Sequence, residues 1–440
     1  MNVSSPSEVE SERNLMKLAA RSFLMSGLPV LLFLSPPASY PVDGYRDSGI
    51  RRLELLRLRL GGELKGAVPV EGGRKSIRDI RLHLAGGESL SSFPEPDREL
   101  QREVQGLFRN RNDSYSLALL DITPGRAPRF AALRSRRSYQ PGSVGKLAVA
   151  VGFFTELSSL YRNSTESRRD LLRTHQVVAD SWIQYDHHNV PLFEPETHKA
   201  SSRPIREGDI FSLYEWLDHM LSASSNAAAS TVWKEAILMR VFGSDYPPSR
   251  EDEKHYFEAT SRSDFREVAL SVVNDPLRKL GIEESDWKLG SFFTRAGNRR
   301  MASAGSGATP TGLLTFLLRL KQGKVVDAWT SLELKRLMYM TARRIRYASA
   351  PRLKESAVYF KSGSLYRCRE EPGFECGRYR GNVFNYMNSV AIVEKPEGEV
   401  YLVALMSNVL RVNSAVEHQT LATYLDRILI RKPRSPEAAR

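Results

Sequence analysis

The stretch Pro141-Gly142-Ser143-Val144-Gly145-Lys146-Leu147 decides how we interpret this 440-residue chain. Its proline and glycines predict a turn, and the apolar run behind them predicts a helix over residues 144–157. Ser143 is then delivered to the first turn of that helix and Lys146 follows three residues later, so the two side chains share a face. Because a desolvated lysine can take the proton of a serine hydroxyl, this spacing is typical of an activated nucleophile.

Taken alone, this S-x-x-K spacing is a weak signal. Ser285 and Lys288 match the same pattern, and an ordinary surface helix is the more common source of such a match. A phosphate-binding loop is excluded, because Gln140 stands where that motif has its first glycine and Leu147 where it has Ser or Thr.

Two further motifs follow along the chain. Ser224-Ser225-Asn226 lies in a predicted loop between two helices, where short polar residues commonly cap helix ends. Lys361-Ser362-Gly363 lies within an apolar predicted strand, an unusual place for a lysine unless the strand borders a cleft. The alternative is a lysine that protects an edge strand from aggregation. Gly363 permits another backbone to approach.

Hydrophobic periodicity predicts the elements around these motifs. The predicted strands cover residues 115–123, 130–133, 357–366, 389–394 and 400–408. Further helices are predicted to begin near Pro96, at a Ser212/Glu215 capping box, at Thr309-Pro310 and at a Ser414/Glu417 capping box. Residues 243–288 are charged and contain proline, so we interpret them as an insertion. A hairpin, then helices, then more strands predict the α+β class, with an antiparallel sheet flanked by helices.

The composition is that of a folded protein large enough to be an enzyme. The 64 Lys and Arg residues against 51 Asp and Glu give a net charge of +13, with 41% hydrophobic residues, which excludes disorder and collagen-like repetition. No zinc finger, RNA-binding strand or long basic block gathers this charge, so we expect no nucleic acid partner.

Residues 1–39 have the layout of a secretory signal peptide. Lys17 and Arg21 precede the apolar run 23–34, and small residues follow it. The run is shorter than the roughly 20 residues that cross a bilayer as a helix. We therefore expect a periplasmic or secreted bacterial protein with no stable membrane span after processing. Met16 is a second candidate for the start of translation besides Met1.

The only two cysteines are Cys368 and Cys376, which excludes a four-cysteine zinc site. In an oxidising compartment we expect them to form a disulfide that staples the hairpin beyond the Lys361 strand. A second group has metal-ligand residue types but matches no zinc motif, so we expect a solvated loop and no metal there. This group is Asp186, His187, His188, Glu194, Glu196 and His198.

In this order, S-x-x-K, S-x-N and K-[ST]-G are the motif set of serine β-lactamases and penicillin-binding proteins. Over residues 97–432 the chain resembles the class A β-lactamase and penicillin-binding protein superfamily. The resemblance implies a sheet flanked by helices and an all-helical subdomain, with the active site between them. Residues 40–96 are then a small N-terminal extension and residues 433–440 a C-terminal tail.

The resemblance also implies a role for each motif residue. Ser143 is the acylated nucleophile and Lys146 accepts its proton. Ser224 relays a proton to the leaving nitrogen, and Asn226 holds Lys146 and the substrate amide. Lys361 and Ser362 bind the substrate carboxylate, and Gly363 keeps the strand accessible. The backbone N–H groups of Ser143 and Ser364 form the oxyanion hole. No metal or organic cofactor is implied.

One departure from the class A pattern concerns deacylation. Class A enzymes resemble one another in a glutamate, about 15 residues before the Thr-Pro helix start, that activates the deacylating water. Residues 288–326 of this chain contain no Asp or Glu. Glu283, Glu284 and Asp286 lie just upstream and are candidates to replace this glutamate, although an exposed turn is their simpler role.

The sequence therefore predicts an exported serine β-lactamase-like hydrolase that opens β-lactams through a Ser143 acyl-enzyme, with a role in β-lactam catabolism and antibiotic resistance. Two alternatives stay open. One is a DD-peptidase that acts on peptidoglycan stem peptides, and the other is a penicillin-binding sensor or scaffold without useful turnover. The expected partner is a β-lactam or peptidoglycan-like small molecule, bound by a monomer.

Overall fold

A computed structural model describes residues 43–82, 90–301 and 304–431 of the protein. The helices are α1 Gly44–Ser48, α2 Arg51–Leu60, α3 Arg98–Phe108, α4 Lys146–Leu160, α5 Thr165–Thr174, α6 Leu213–Leu221, α7 Asn226–Phe242, α8 Arg250–Ala259, α9 Arg262–Lys279, α10 Arg295–Arg300, α11 Pro310–Lys321, α12 Ala328–Tyr339 and α13 Ala415–Ile430. The strands are β1 Ser116–Asp121, β2 Arg129–Leu133, β3 Gln176–Val178, β4 Val190–Glu194, β5 Lys199–Arg203, β6 Ile210–Ser212, β7 Trp287–Lys288, β8 Gly307–Ala308, β9 Ala357–Arg367, β10 Phe384–Glu394 and β11 Val400–Asn408. The predicted signal segment 1–39 and tail 433–440 lie outside the described residues.

The largest sheet has five antiparallel strands in the order β2-β1-β11-β10-β9. The predicted N-terminal hairpin is the β1-β2 pair. The predicted C-terminal strands are β9, β10 and β11, although β10 begins at Phe384 rather than at Ser389. An antiparallel sheet with helices packed on it confirms the predicted α+β class.

Both faces of this sheet are buried, because successive side chains of a strand point to opposite faces. Leu117 and Leu119 of β1 pack with α3 and α13, whereas Ala118 and Leu120 pack on the side of α4 and α11. On that second side α4 also contacts α7 and α9. The helix α4 is thus the centre of the helical part of the protein.

The burial of α4 explains its composition. Residues 142–160 are long and apolar enough to cross a membrane by length and composition, but 72% of this segment is buried inside the protein. Its apolar character is therefore that of a helix buried in the core. Ser143 and Lys146 lie at the start of this helix.

Two expectations for the helices are wrong in part. Residues 243–288 are more than a charged insertion, because α9 within them places Phe265, Val272 and Val273 in the core against α4. The final helix forms as predicted, but Ser414 makes no side-chain capping bond to it. Glu417 pairs with Arg111 instead of closing a capping box.

The described part of the N-terminal extension packs against the main domain. Arg52 of α2 pairs with the fully buried Asp218 of α6, with Nε to Oδ2 at 2.5 Å. Arg51 pairs with Glu215 of the same helix at 2.8 Å. These contacts fix the start of α2 against α6, the helix that precedes the Ser224-Ser225-Asn226 loop.

Candidate active site

The S-x-x-K residues meet at the start of α4. Ser143 lies on a 3₁₀ turn, Gly142–Gly145, and Lys146 is the first residue of the α-helix, so the α-helix begins two residues later than predicted. The Lys146 Nζ is 2.9 Å from the Ser143 Oγ. The predicted side-by-side arrangement of the serine hydroxyl and the lysine amine is therefore present.

Lys146 is fully buried, and its other partners are neutral oxygens. Its Nζ donates to the Ser224 backbone oxygen at 2.6 Å and to the Asn226 Oδ1 at 2.7 Å. Burial lowers the pKa of Lys146 to about 7, while the negative charge of Asp186 opposes the shift. Near neutral pH a large fraction of this amine is therefore unprotonated and able to accept a proton.

The Lys361 side chain extends from β9 to Ser224, the residue that Lys146 also contacts. Its Nζ donates to the Ser224 Oγ at 2.8 Å and to the Ser362 oxygen at 3.1 Å. Burial lowers the pKa of Lys361 well below its usual value, and the charges of Lys146 and Arg346 add to the effect. Ser224, held in the left-handed region with φ of 63°, thus lies between the two lysines.

Gly363 allows β9 to approach the nucleophile turn. A Cβ at this position would lie 2.2 Å from the Pro141 oxygen and 3.0 Å from the Ser143 nitrogen, distances that side chains do not adopt. Only glycine fits here, which supports the sequence interpretation of a close backbone approach. Ser364 lines the same cleft as Ser143, whereas Ser362 lines a neighbouring cavity.

Three supporting residues were not identified from the sequence. Arg346 donates from Nη1 to the Gly363 oxygen at 2.9 Å, and Asn388 donates from Nδ2 to the Gln140 oxygen at 2.8 Å. The Phe293 ring lies 4.9 Å from the Lys146 Nζ. No local motif marks them, because each acts through the fold from a distant part of the chain.

Asp186 is the largest correction to the predicted site. Its side chain is 3% exposed rather than solvated. One carboxylate oxygen accepts from the Ser225 hydroxyl at 2.8 Å and from the Asn226 nitrogen at 2.7 Å. Burial raises the pKa of Asp186, but the His188 ring, the backbone N–H of Ala227 and the Ser225 hydroxyl outweigh it and hold that pKa well below its usual value. Asp186 is therefore ionised, and its carboxylate holds the Ser224-Ser225-Asn226 loop in place.

The rest of the group with metal-ligand residue types divides in two. Glu194, Glu196 and His198 are exposed on or beside the β4-β5 hairpin, as expected. Possible ligand atoms of Asp186, His187 and His188 lie within 4.8 Å of one another. Both Asp186 oxygens already accept hydrogen bonds, from His188 and from the S-x-N loop, so this carboxylate is built to orient protein groups.

The cleft in front of Ser143 has a volume of about 460 Å³. Its wall includes Leu289, Ser291, Phe292 and Phe293, and none of the described residues that line it is Asp or Glu. Of the upstream acids, Asp286 accepts from the Thr309 hydroxyl at 2.9 Å, and Glu283 and Glu284 are exposed. None of the described residues that line this cleft therefore supplies a carboxylate to it.

A second cavity of about 520 Å³ adjoins the site on the side of Ser224 and Lys361. Helix α2 forms one wall through Leu55, Leu56 and Arg59. Arg378 lines both cavities. The N-terminal extension thus contributes directly to the surroundings of the candidate site.

The predicted disulfide is present between Cys368 and Cys376, with a Cα–Cα distance of 6.0 Å. It follows β9 directly and closes a loop that carries Arg369 between strands β9 and β10. The disulfide therefore directly follows the strand that carries Lys361.

No protein-family model and no curated protein matches the chain. Among solved structures it resembles a protein described as PBP-A, at 13% identity over 76% of this chain and 97% of that one, with a TM-score of 0.48. A class A β-lactamase from Bacteroides cellulosilyticus is similar at 15% identity over 76% and 97% of the two chains, with a TM-score of 0.49. A β-lactamase from Sphaerobacter thermophilus is similar at 15% identity over 75% and 94%, with a TM-score of 0.46. The chain is thus similar to structures described as PBP-A and as β-lactamases.

Proposed function

We propose that the protein is an exported serine hydrolase that forms an acyl-enzyme at Ser143 with β-lactams and hydrolyses it slowly. The observation that carries the proposal is the buried Lys146 amine, 2.9 Å from the Ser143 Oγ and with a pKa lowered to about 7. An amine of this kind is a general base at neutral pH, which a serine hydroxyl needs in order to attack.

Acylation then follows from the contacts of the site. The Ser143 Oγ attacks the lactam carbonyl carbon as Lys146 takes the hydroxyl proton. The backbone N–H groups of Ser143 and Ser364 are the proposed donors to the oxyanion. When the C–N bond breaks, Ser224 gives a proton to the leaving nitrogen and regains one from Lys146, whose Nζ is 3.5 Å from the Ser224 Oγ.

The substrate class follows from Lys361. This buried amine donates to the oxygens of Ser224 and Ser362, and none of the ion pairs among the described residues supplies a carboxylate to it. A substrate carboxylate beside it would favour the protonated form and supply the missing partner. We therefore propose an anionic substrate, either a β-lactam or a peptidoglycan-like peptide with a free carboxylate.

The runner-up is a DD-peptidase, and a specific observation favours it. The second cavity next to Lys361 is walled by α2 and lined by Arg59, Arg343 and Arg378. A compact β-lactam does not need this additional space, whereas a longer anionic peptide would use it. A sensor that acylates without turnover is the third candidate, supported by the missing carboxylate in the cleft.

Intact mass spectrometry over time after addition of penicillin distinguishes a β-lactam hydrolase from a sensor without turnover. A hydrolase gives an adduct that forms and then disappears, and a sensor gives an adduct that persists. The chain supplies its own matched control, because Ser285 and Lys288 repeat the S-x-x-K spacing on the surface. Ser285→Ala is expected to retain the adduct, and an adduct that maps to Ser285 would contradict the proposal.

Export is part of the proposal. The disulfide supports an oxidising compartment, where such bonds persist. N-terminal sequencing of protein recovered from the periplasm is expected to place the mature N-terminus close to Tyr40. An N-terminus at Met1 or Met16 would contradict export by cleavage.

A further inference from the structure

The hydrolysis that we propose needs a base, and the described wall opposite Ser143 has no carboxylate. The stretch over residues 288–326 has no Asp or Glu, and the nearest upstream acid, Asp286, is bound to Thr309. The water that attacks the acyl-enzyme must therefore give its proton to another group. The titratable groups that the described cleft offers besides Lys146 are Arg378, two tyrosines and two histidines; these last four are Tyr366, Tyr379, His187 and His188.

We propose that His188, oriented by Asp186, is the base that activates the deacylating water. His188 lines the same cleft as Ser143 and Asn226, and its side chain is 28% exposed. The inference rests on the proposed function, since it assigns a residue to the second half of that reaction.

The hydrogen bonds of His188 leave the correct nitrogen available. Its Nδ1 lies 2.6 Å from the Asp186 Oδ1, and the same oxygen accepts from the His188 backbone nitrogen at 3.1 Å. A carboxylate at Nδ1 keeps the proton on that nitrogen and makes Nε2 the basic one. Nε2 makes no hydrogen bond to the described residues, so its lone pair is free for a water in the cleft.

Burial of the ring favours its neutral form, which a base requires. Burial lowers the pKa of His188, the Asp186 carboxylate opposes that shift, and the charges of Lys146 and His187 lower the pKa further. The net direction is downward from about 6.5, so the ring is unprotonated at neutral pH.

The rigidity of the pair also favours this role. Asp186 binds the S-x-N loop through Ser225, Asn226 and the nitrogen of Ala227, and that loop in turn holds Lys146. One buried carboxylate therefore sets the position of His188 relative to the nucleophile and its amine. Asp186 is a positioning residue in this arrangement and His188 the catalytic one.

His188 and Ser143 supply the acceptor and the leaving oxygen for every proton and bond in this step. The water oxygen bonds to the acyl carbon while one water proton moves to the His188 Nε2. The bond between that carbon and the Ser143 Oγ then breaks, and the proton passes from Nε2 to the Ser143 oxygen. The product keeps the second water proton as a carboxylic acid, which loses it to solvent, and both side chains return to their starting states.

The experiment is the intact-mass time course with penicillin, applied to His188→Asn. The asparagine amide can still donate to Asp186 but cannot act as an imidazole base. We expect acylation at a rate close to that of the wild type and deacylation slowed by about 100-fold or more. The wild-type deacylation rate should fall with decreasing pH as His188 becomes protonated, and the variant should lose this dependence.

Two further variants keep the test decisive. His188→Gln repeats it if the asparagine variant does not fold, and His187→Asn changes the neighbouring ring, which stacks on His188 at 4.6 Å. Unchanged deacylation in a folded His188 variant, or a larger loss in His187→Asn, would overturn the assignment. A wild type that forms no adduct at all would overturn the proposed function itself, which is a different result from an adduct whose decay ignores His188.

Discussion

The two walls of the cleft differ in the polar side chains that they carry. On the side of α4, α7 and β9, Ser143, Lys146, Ser224, Asn226 and Lys361 form one connected hydrogen-bond network. On the other side the described wall is largely apolar, with Leu289, Phe292 and Phe293, and carries no carboxylate. The groups that we propose for acylation therefore lie together on one wall, whereas the described opposite wall adds no carboxylate for the proposed deacylation.

Removal of the proposed nucleophile is expected to have the largest effect on acylation. It tests the wall that carries the hydrogen-bond network. Ser143→Ala should abolish covalent labelling by a fluorescent penicillin, because it removes the attacking oxygen and little volume. Labelling is read on a denaturing gel, and circular dichroism verifies the fold. Undiminished labelling of the folded variant would move the nucleophile elsewhere.

Removal of the base is expected to have the next largest effect. Lys146→Ala should slow acylation by about 100-fold or more, the usual scale for a positioned base. In the wild type the acylation rate should rise with pH up to about 7 and then level off, because only the neutral amine of Lys146 accepts a proton. Stopped-flow acylation between pH 5 and 9 measures both effects, and a rate independent of pH in this range would assign the base to another group.

A new carboxylate on the apolar wall tests the other half of the comparison. Ser291 lines the cleft, so Ser291→Glu should supply a base there and speed deacylation by about tenfold or more. Ser291→Gln has nearly the same size without the charge and is the matched control. Equal deacylation rates for the two variants would show that this wall does not reach the acyl group.

The disulfide is expected to have the smallest effect on the chemistry. It closes a loop with a sequence separation of 8 residues beyond β9, which corresponds to about 2–3 kcal/mol of stabilisation in the chain-entropy model. The double variant Cys368→Ser, Cys376→Ser should lower the free energy of unfolding by up to that amount and leave acylation nearly unchanged. Urea unfolding of the variant provides the measurement, and a loss of acylation at full stability would give the staple a role in the site.

The sequence was informative where local pattern and local structure coincide. The order of the three motifs resembles that of a known family, and this resemblance predicted Ser143, Lys146 and Lys361 as members of one site. The structure places them in one hydrogen-bond network. The Ser414 cap was wrong, since its hydroxyl contacts Met387 across the fold instead of the helix start. Asp186 was assigned to solvent because its burial depends on a loop some 40 residues further on, and no periodic pattern carries that information.

Pre-steady-state hydrolysis of a chromogenic cephalosporin tests the central claim most directly. One wall carries the groups that we propose for acylation, and the described opposite wall carries no carboxylate. We therefore expect a burst of one equivalent of ring opening per Ser143, followed by a slow steady phase. The steady phase should be about 100-fold to 10,000-fold slower than in enzymes that place a glutamate there. Fast turnover without a burst, or no ring opening at all, would contradict the account.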